Sequence, residues 1–147
     1  MTQEQQRSAV AAEALSWLGT GYHHHGRIKH VGVDCLMLLA EVYERAGVVP
    51  HIDPGDYRTD WHLHRGEELY LAGLERYTRP VQTPALGDIV LFKFGRCYSH
   101  SGIVVQAGHD PTVVHAYLKL GVIPSRLSEA PLFGRPMRAF SPWSLDA

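Results

Sequence analysis

An α+β fold is predicted for this chain: N-terminal helices packed on an antiparallel sheet of about five strands. Two observations predict it. Apolar residues in the first half recur at helical spacing, and after Leu86-Gly87-Asp88 they change to short runs of β-forming residues separated by turns. Helices followed by a meander of strands give helices layered on one sheet.

The first helix is expected from about Gln3 to Leu18, with Val10, Ala11, Ala14, Leu15 and Leu18 on one face and Gly19-Thr20-Gly21 as its stop. Tyr22 to Val33 reads as a loop rich in histidine and glycine. Asp34 can cap a second helix that runs to about Ala46, with Gly47 as the residue beyond its end and Leu38, Leu39, Val42, Tyr43 and Ala46 on its core face. Val48 to Tyr57 carries Pro50, Pro54 and Gly55 and reads as loop. A third helical segment is expected from Asp60 to about Tyr77, with Leu69, Tyr70, Leu74 and Tyr77 as its stripe, before Pro80 and Pro84 break the pattern. Strands are expected over Ile89–Phe94, Ser101–Val105, Thr112–Tyr117, Gly121–Ile123 and Met137–Phe140.

The chain has 147 residues, which suits one domain spanning 1–147. Its 45% hydrophobic and 20% charged composition is that of an ordinary globular protein. A formal net charge of −1 gives no footprint for nucleic acid, and no apolar run approaches the roughly 18 residues of a membrane span. The polar start Met1-Thr2-Gln3-Glu4-Gln5-Gln6-Arg7 is not a secretory signal, so the chain is expected to be cytoplasmic when made. Two cysteines, Cys35 and Cys97, are too few for a disulfide framework and read as a thiol enzyme's nucleophile and a bystander packed in the sheet.

Gly32-Val33-Asp34-Cys35-Leu36 places Cys35 in the first turn of the second helix. A helix N-terminus carries partial positive charge and free N–H groups, which favour a thiolate and can hold an oxyanion. A cysteine nucleophile needs a base, and the base needs an orienting partner. His100, in Ser99-His100-Ser101-Gly102, begins one expected strand, and His115 lies within the next. Antiparallel neighbours approach to roughly 5 Å, so one ring can fix the tautomer of the other. Cys35 is therefore the expected nucleophile, His100 the base and later the acid, and His115 the orienter.

Two metal readings compete with this one. His23-His24-His25 with His30 are consecutive loop histidines with nothing to fix a tetrahedron, and they read as the rim of a cleft ahead of Cys35. Cys97-x-x-His100 has a zinc-like spacing, but Cys35 and His115 lack close second ligands, and on extended chain Cys97 should face away from His100. No metal and no cofactor is expected. Asp88 reads as a turn residue, His62 and His64 as surface, and Trp17, Trp61 and Trp143 as packing.

These residues resemble the NlpC-type cell-wall cysteine peptidases, which have a papain-like fold. The resemblance runs from about Ala11 to Phe140, through Trp17-Leu18-Gly19-Thr20-Gly21-Tyr22, Gly32-Val33-Asp34-Cys35, Leu86-Gly87-Asp88-Ile89-Val90-Leu91-Phe92, His100-Ser101-Gly102-Ile103-Val104 and Val114-His115-Ala116. It implies that Cys35, His100 and His115 form the triad and that Tyr22 lies beside the nucleophile at the oxyanion or substrate site. Leu36-Met37 stands where most of that family has Ser-Gly; the serine and the preceding acid, here Asp34, are linked there to gripping the substrate's amino end.

Tyr22-His23-His24-His25-Gly26-Arg27, Tyr57-Arg58-Thr59-Asp60-Trp61 and the ending Phe140-Ser141-Pro142-Trp143 look like the phage-tail branch of that family. The substrate implied is a peptidoglycan stem peptide cut next to D-glutamate, as at its γ-linkage to diaminopimelate, with other tail proteins as partners and the virion tail as location. The alternatives are a non-catalytic tail component of the same fold and an acyltransferase that passes the thioester to an amine or alcohol.

Overall fold

The computed structural model describes residues 1–55 and 66–143, leaving aside the side chains of 66–70. The Tyr57–Trp61 motif, the start of the third helical segment at Asp60, His62, His64 and the side chains of Leu69 and Tyr70 lie outside the described residues. The fold is α+β, with three helices and a mostly antiparallel sheet among the described residues.

Helix α1 spans Gln3–Leu15. It starts where Thr2 accepts a hydrogen bond from the Gln5 N–H at 3.1 Å while the Gln5 side chain accepts from the Thr2 N–H at 2.9 Å, a reciprocal cap for two otherwise unpaired donors. The chain then tightens into turns, so the helix ends three residues short of Leu18. Trp17 is fully buried there, its indole N–H donating to Glu13 at 2.8 Å. Two short strands, β1 (Arg27–Ile28) and β2 (Gly32–Val33), pair within the segment expected to be loop.

Helix α2 spans Cys35–Arg45 and is buried along most of its length. Gly47 lies beyond its end at φ +76°, a left-handed conformation that glycine adopts without a Cβ penalty. Helix α3 spans Gly66–Tyr77.

The main sheet has six strands: β3 (Arg79–Val81), β4 (Ile89–Phe94), β5 (Cys97–Gln106), β6 (Thr112–Tyr117), β7 (Gly121–Arg126) and β8 (Met137–Ser141). Their spatial order is β3-β8-β4-β5-β6-β7. The sequence pattern accounts for five of them. The sixth, β3, contains Pro80, and β7 runs through Pro124 to Arg126 instead of stopping at Ile123. Both are border strands, where a residue without an N–H is tolerated on the unpaired side.

All three helices contact β5, and the main core lies between them and the sheet. Alternation assigns the faces. Ile89, Leu91, Ile103 and Val114 meet the helices, while Val90, Phe92, Val104 and Val113 form a smaller cluster on the far face with Leu132 from the β7–β8 connection. Arg7 fastens α1 to the sheet, donating at 2.8 Å to Asp88, whose other oxygen accepts from the Ala85 N–H at 2.9 Å. Asp88 is thus a buried turn residue, as its place before β4 predicts. Among the described residues, no helix is long and apolar enough to cross a membrane.

Strand β5 begins at Cys97, earlier than expected. Phe92 pairs with His100 but Lys93 pairs with Tyr98, so Ser99 is an extra residue that bulges the strand. The bulge overturns the expected opposition of Cys97 and His100. Their partners, Phe94 and Phe92, are two residues apart on one face of β4, so Cys97 and His100 share a face. Cys97 is only half-buried.

Candidate active site

The site begins with the cap of α2. Asp34 is fully buried in extended conformation (φ −104°, ψ 177°), and one carboxylate oxygen accepts the Met37 N–H at 2.9 Å. The other accepts the His25 N–H at 2.9 Å. One carboxylate therefore both starts the helix and anchors the histidine loop to it. Asp34 thus caps α2, as its place before Cys35 predicts; the resemblance linked it to the substrate's amino end, and both its oxygens accept backbone amides.

Cys35 is the first residue of α2 and only 4% exposed. Strand β5 grips it from both sides of His100: the thiol points at the Ser99 carbonyl at 3.9 Å, and the Ser101 hydroxyl donates to the Cys35 carbonyl at 3.3 Å. His100 is also nearly buried, at 7%. Its Nε2 shares a hydrogen bond of 2.8 Å with His115 Nδ1, and His115 Nε2 shares another of 2.9 Å with the Ser125 hydroxyl. The two rings stand edge-on, with centroids 5.0 Å apart. Phe94 packs against His100 at 5.0 Å, and the Arg135 guanidinium lies 3.4 Å over the Phe94 ring.

Burial holds His100 well below the usual imidazole range, and the neighbouring His115 and Arg135 add to the effect. Burial alone pushes His115 down to about 4. Tyr22 moves the other way. Burial, with Cys35 and Asp34 adding, holds its hydroxyl above the usual phenol range, so it stays a proton donor. Tyr22 is positioned by backbone: it bridges Val33 in parallel, and the flanking Gly21 carbonyl and His23 N–H bond to Val33 at 3.0 and 3.1 Å.

Tyr22, Cys35 and His100 open onto one cleft of about 780 Å³, within the range of small-molecule and peptide sites. His23 and His24 form one rim and the β6–β7 turn, through Tyr117, Leu118 and Lys119, the other. A separate hollow of about 80 Å³ lies between α2 and α3 and is lined by apolar side chains including Leu36, Leu39 and Leu74. Leu36 thus turns toward apolar packing, which explains why an aliphatic residue is accepted after the cysteine.

Tyr22, Cys35 and His100 line the cleft, and His100 is hydrogen-bonded to His115, which is bonded in turn to Ser125, a residue the sequence did not single out. Among the described residues, the one group of three side chains with ligand atoms close enough for a metal ion is Glu41, Glu44 and His51. Neither the His23–His30 cluster nor the Cys97-x-x-His100 set is such a group. Glu41 is already paired with Arg27 at 2.7 Å and Arg45 at 3.3 Å, which leaves little charge for a cation.

No family model matches the sequence, and no curated protein does. Solved structures do. The chain superposes on the NlpC/p60 domain of the peptidoglycan hydrolase SagA with a TM-score of 0.57 and 22% identity, covering 92% of this chain and 97% of that one. It also superposes on a lipoprotein-like NLP/P60 family protein of Staphylococcus aureus with a TM-score of 0.62 and 19% identity, covering 93% of this chain and 42% of that one. The fold is therefore the papain-like one of NlpC/p60 domains.

Proposed function

We propose that this chain is a cysteine peptidase of the NlpC type that hydrolyses peptidoglycan stem peptides, with residues 1–147 as one catalytic domain. The observation that carries the reading is the 2.8 Å bond between His100 and His115, in a cleft that His100 shares with a cysteine at a helix N-terminus. The structural likeness to a peptidoglycan hydrolase domain supports the substrate class.

In this mechanism His115 holds His100 through Nε2, leaving Nδ1 to take the Cys35 proton. Burial disfavours a charged His100 at rest, so the proton moves as the sulfur attacks rather than in a standing ion pair. As the proton moves to His100, the sulfur attacks the scissile carbonyl and the C–S bond forms. The oxyanion rests on the Cys35 N–H and the protonated Tyr22 hydroxyl, donors of a kind each worth roughly 10²–10³ in turnover. His100 passes its proton to the leaving amine as the C–N bond breaks. It then deprotonates water, which releases the acid and restores the thiol. The bond cut is next to D-glutamate, and the enzyme works from a phage tail; both features follow from the motif resemblance.

Digestion of purified peptidoglycan, read by mass, tests the reading. Wild type is expected to release peptides shortened at the stem, and Cys35→Ala none. Alkylation near neutral pH adds a second readout: Cys35 should label faster than Cys97, and more slowly in His100→Ala. Muropeptides left intact by a protein whose two thiols react equally slowly would leave only a structural role for this fold. Products joined to an added amine would make it a transferase.

A further inference from the structure

The two rims of the cleft carry Lys119, His23 and His24, and among the described residues no carboxylate lines it. Asp34 is fully buried, with its oxygens bound to the His25 and Met37 amides and one of them 3.9 Å from His24 Nδ1. Among the described residues Lys119 has no ion-pair partner. It sits at φ +73°, a conformation that costs a side-chain-bearing residue on the order of 1 kcal/mol and persists only when the surroundings impose it.

The surroundings do impose it. The Leu120 N–H closes the turn on the Tyr117 carbonyl at 3.0 Å. Gly121, at φ +77°, presses so closely on the Thr20 carbonyl that a Cβ would lie 2.5 Å from its oxygen. The Val122 N–H donates to Thr20 at 2.8 Å, and the Gly19 N–H to Val122 at 3.1 Å. The turn that presents Lys119 is therefore bolted to the segment that leads into Tyr22. The backbone that carries Lys119 and the segment that carries the phenol beside the nucleophile are held in one frame.

We propose that Lys119 is a specificity-determining residue, the counter-charge for a free carboxylate carried by the substrate close to its scissile bond. This rests on the peptidase reading above and deepens it. The carboxylate faces a cation with no competing acid among the described residues of the cleft, so a peptide in which it is amidated loses attraction while keeping its shape.

Binding to the catalytically silent Cys35→Ala protein tests this apart from turnover. The probe is a γ-D-glutamyl tripeptide with its α-carboxylate free or converted to the amide. At low salt the free acid is expected to bind up to about fivefold more tightly, a difference that shrinks as salt is added. Lys119→Gln should erase the preference without changing affinity for the amide, and Lys119→Arg should retain it. Equal affinity for both peptides, or a preference that survives Lys119→Gln, overturns the assignment. Cleavage by the Cys35 protein without that preference would refute the Lys119 role alone, whereas failure to bind either peptide would refute the peptidase reading with it.

Discussion

Ser125 sits behind His115, its hydroxyl sharing a 2.9 Å hydrogen bond with Nε2. If His115 Nε2 donates to the Ser125 hydroxyl, Nδ1 becomes the acceptor for the His100 N–H, and the remaining nitrogen of His100 is free for the Cys35 proton. Ser125→Ala removes one hydrogen bond of about 1 kcal/mol, so kcat is expected to fall roughly five- to tenfold with KM unchanged, and Ser125→Thr should restore it. Steady-state kinetics on a muropeptide checks this, and a parallel loss in KM would mean that the cleft itself had been disturbed. Cys35, His100 and His115 were legible in the sequence because each is a chemically distinctive residue at a helix or strand boundary. Ser125 was not. A serine is a common strand residue, and Pro124 before it ended the visible apolar run at Ile123, although a border strand accepts that proline.

At the scale of elements, positions depend on contacts that periodicity does not report. The bulge at Ser99 adds one residue to β5 and reverses the face on which Cys97 lies. Counting by twos along the sequence cannot register such an insertion, because it is specified by pairing with β4. The pairing of β1 with β2 was missed for a similar reason: two residues per strand are too few to show alternation. The helices were easier to read, since α2 carries its cap, its stripe and its terminal glycine within one stretch of chain. The β6–β7 turn offers a direct test of element placement. Gly121→Ala brings a methyl group to 2.5 Å from the Thr20 carbonyl and adds a left-handed residue with a side chain. It is expected to cost about 2 kcal/mol, read as a lower midpoint in denaturant unfolding at unchanged slope. An unshifted midpoint would show that the turn is not held against the Tyr22 segment.

For the molecule as a whole, the buried imidazole pair ties stability to pH. Both His100 and His115 titrate lower in the folded state than the ordinary value of 6.5, so the unfolded chain binds more protons in the interval between. Stability is therefore complete above about pH 6.5 and declines as the pH falls; the His115 part is lost by about pH 4 and amounts to roughly 3 kcal/mol. Urea unfolding across that window is expected to show the decline, with a shallower slope in His115→Gln; a flat profile would mean that water reaches the pair. The layering of helices on a sheet was the most legible property of the chain, because it needs only the order of periodic segments. The sheet's borders have one more consequence. β3 and β7 each present a proline, Pro80 and Pro124, in the row of backbone groups where another chain could add a strand. A residue without an N–H is a poor template for an added strand, so both flanks of the sheet are blunted against edge-to-edge pairing with another copy.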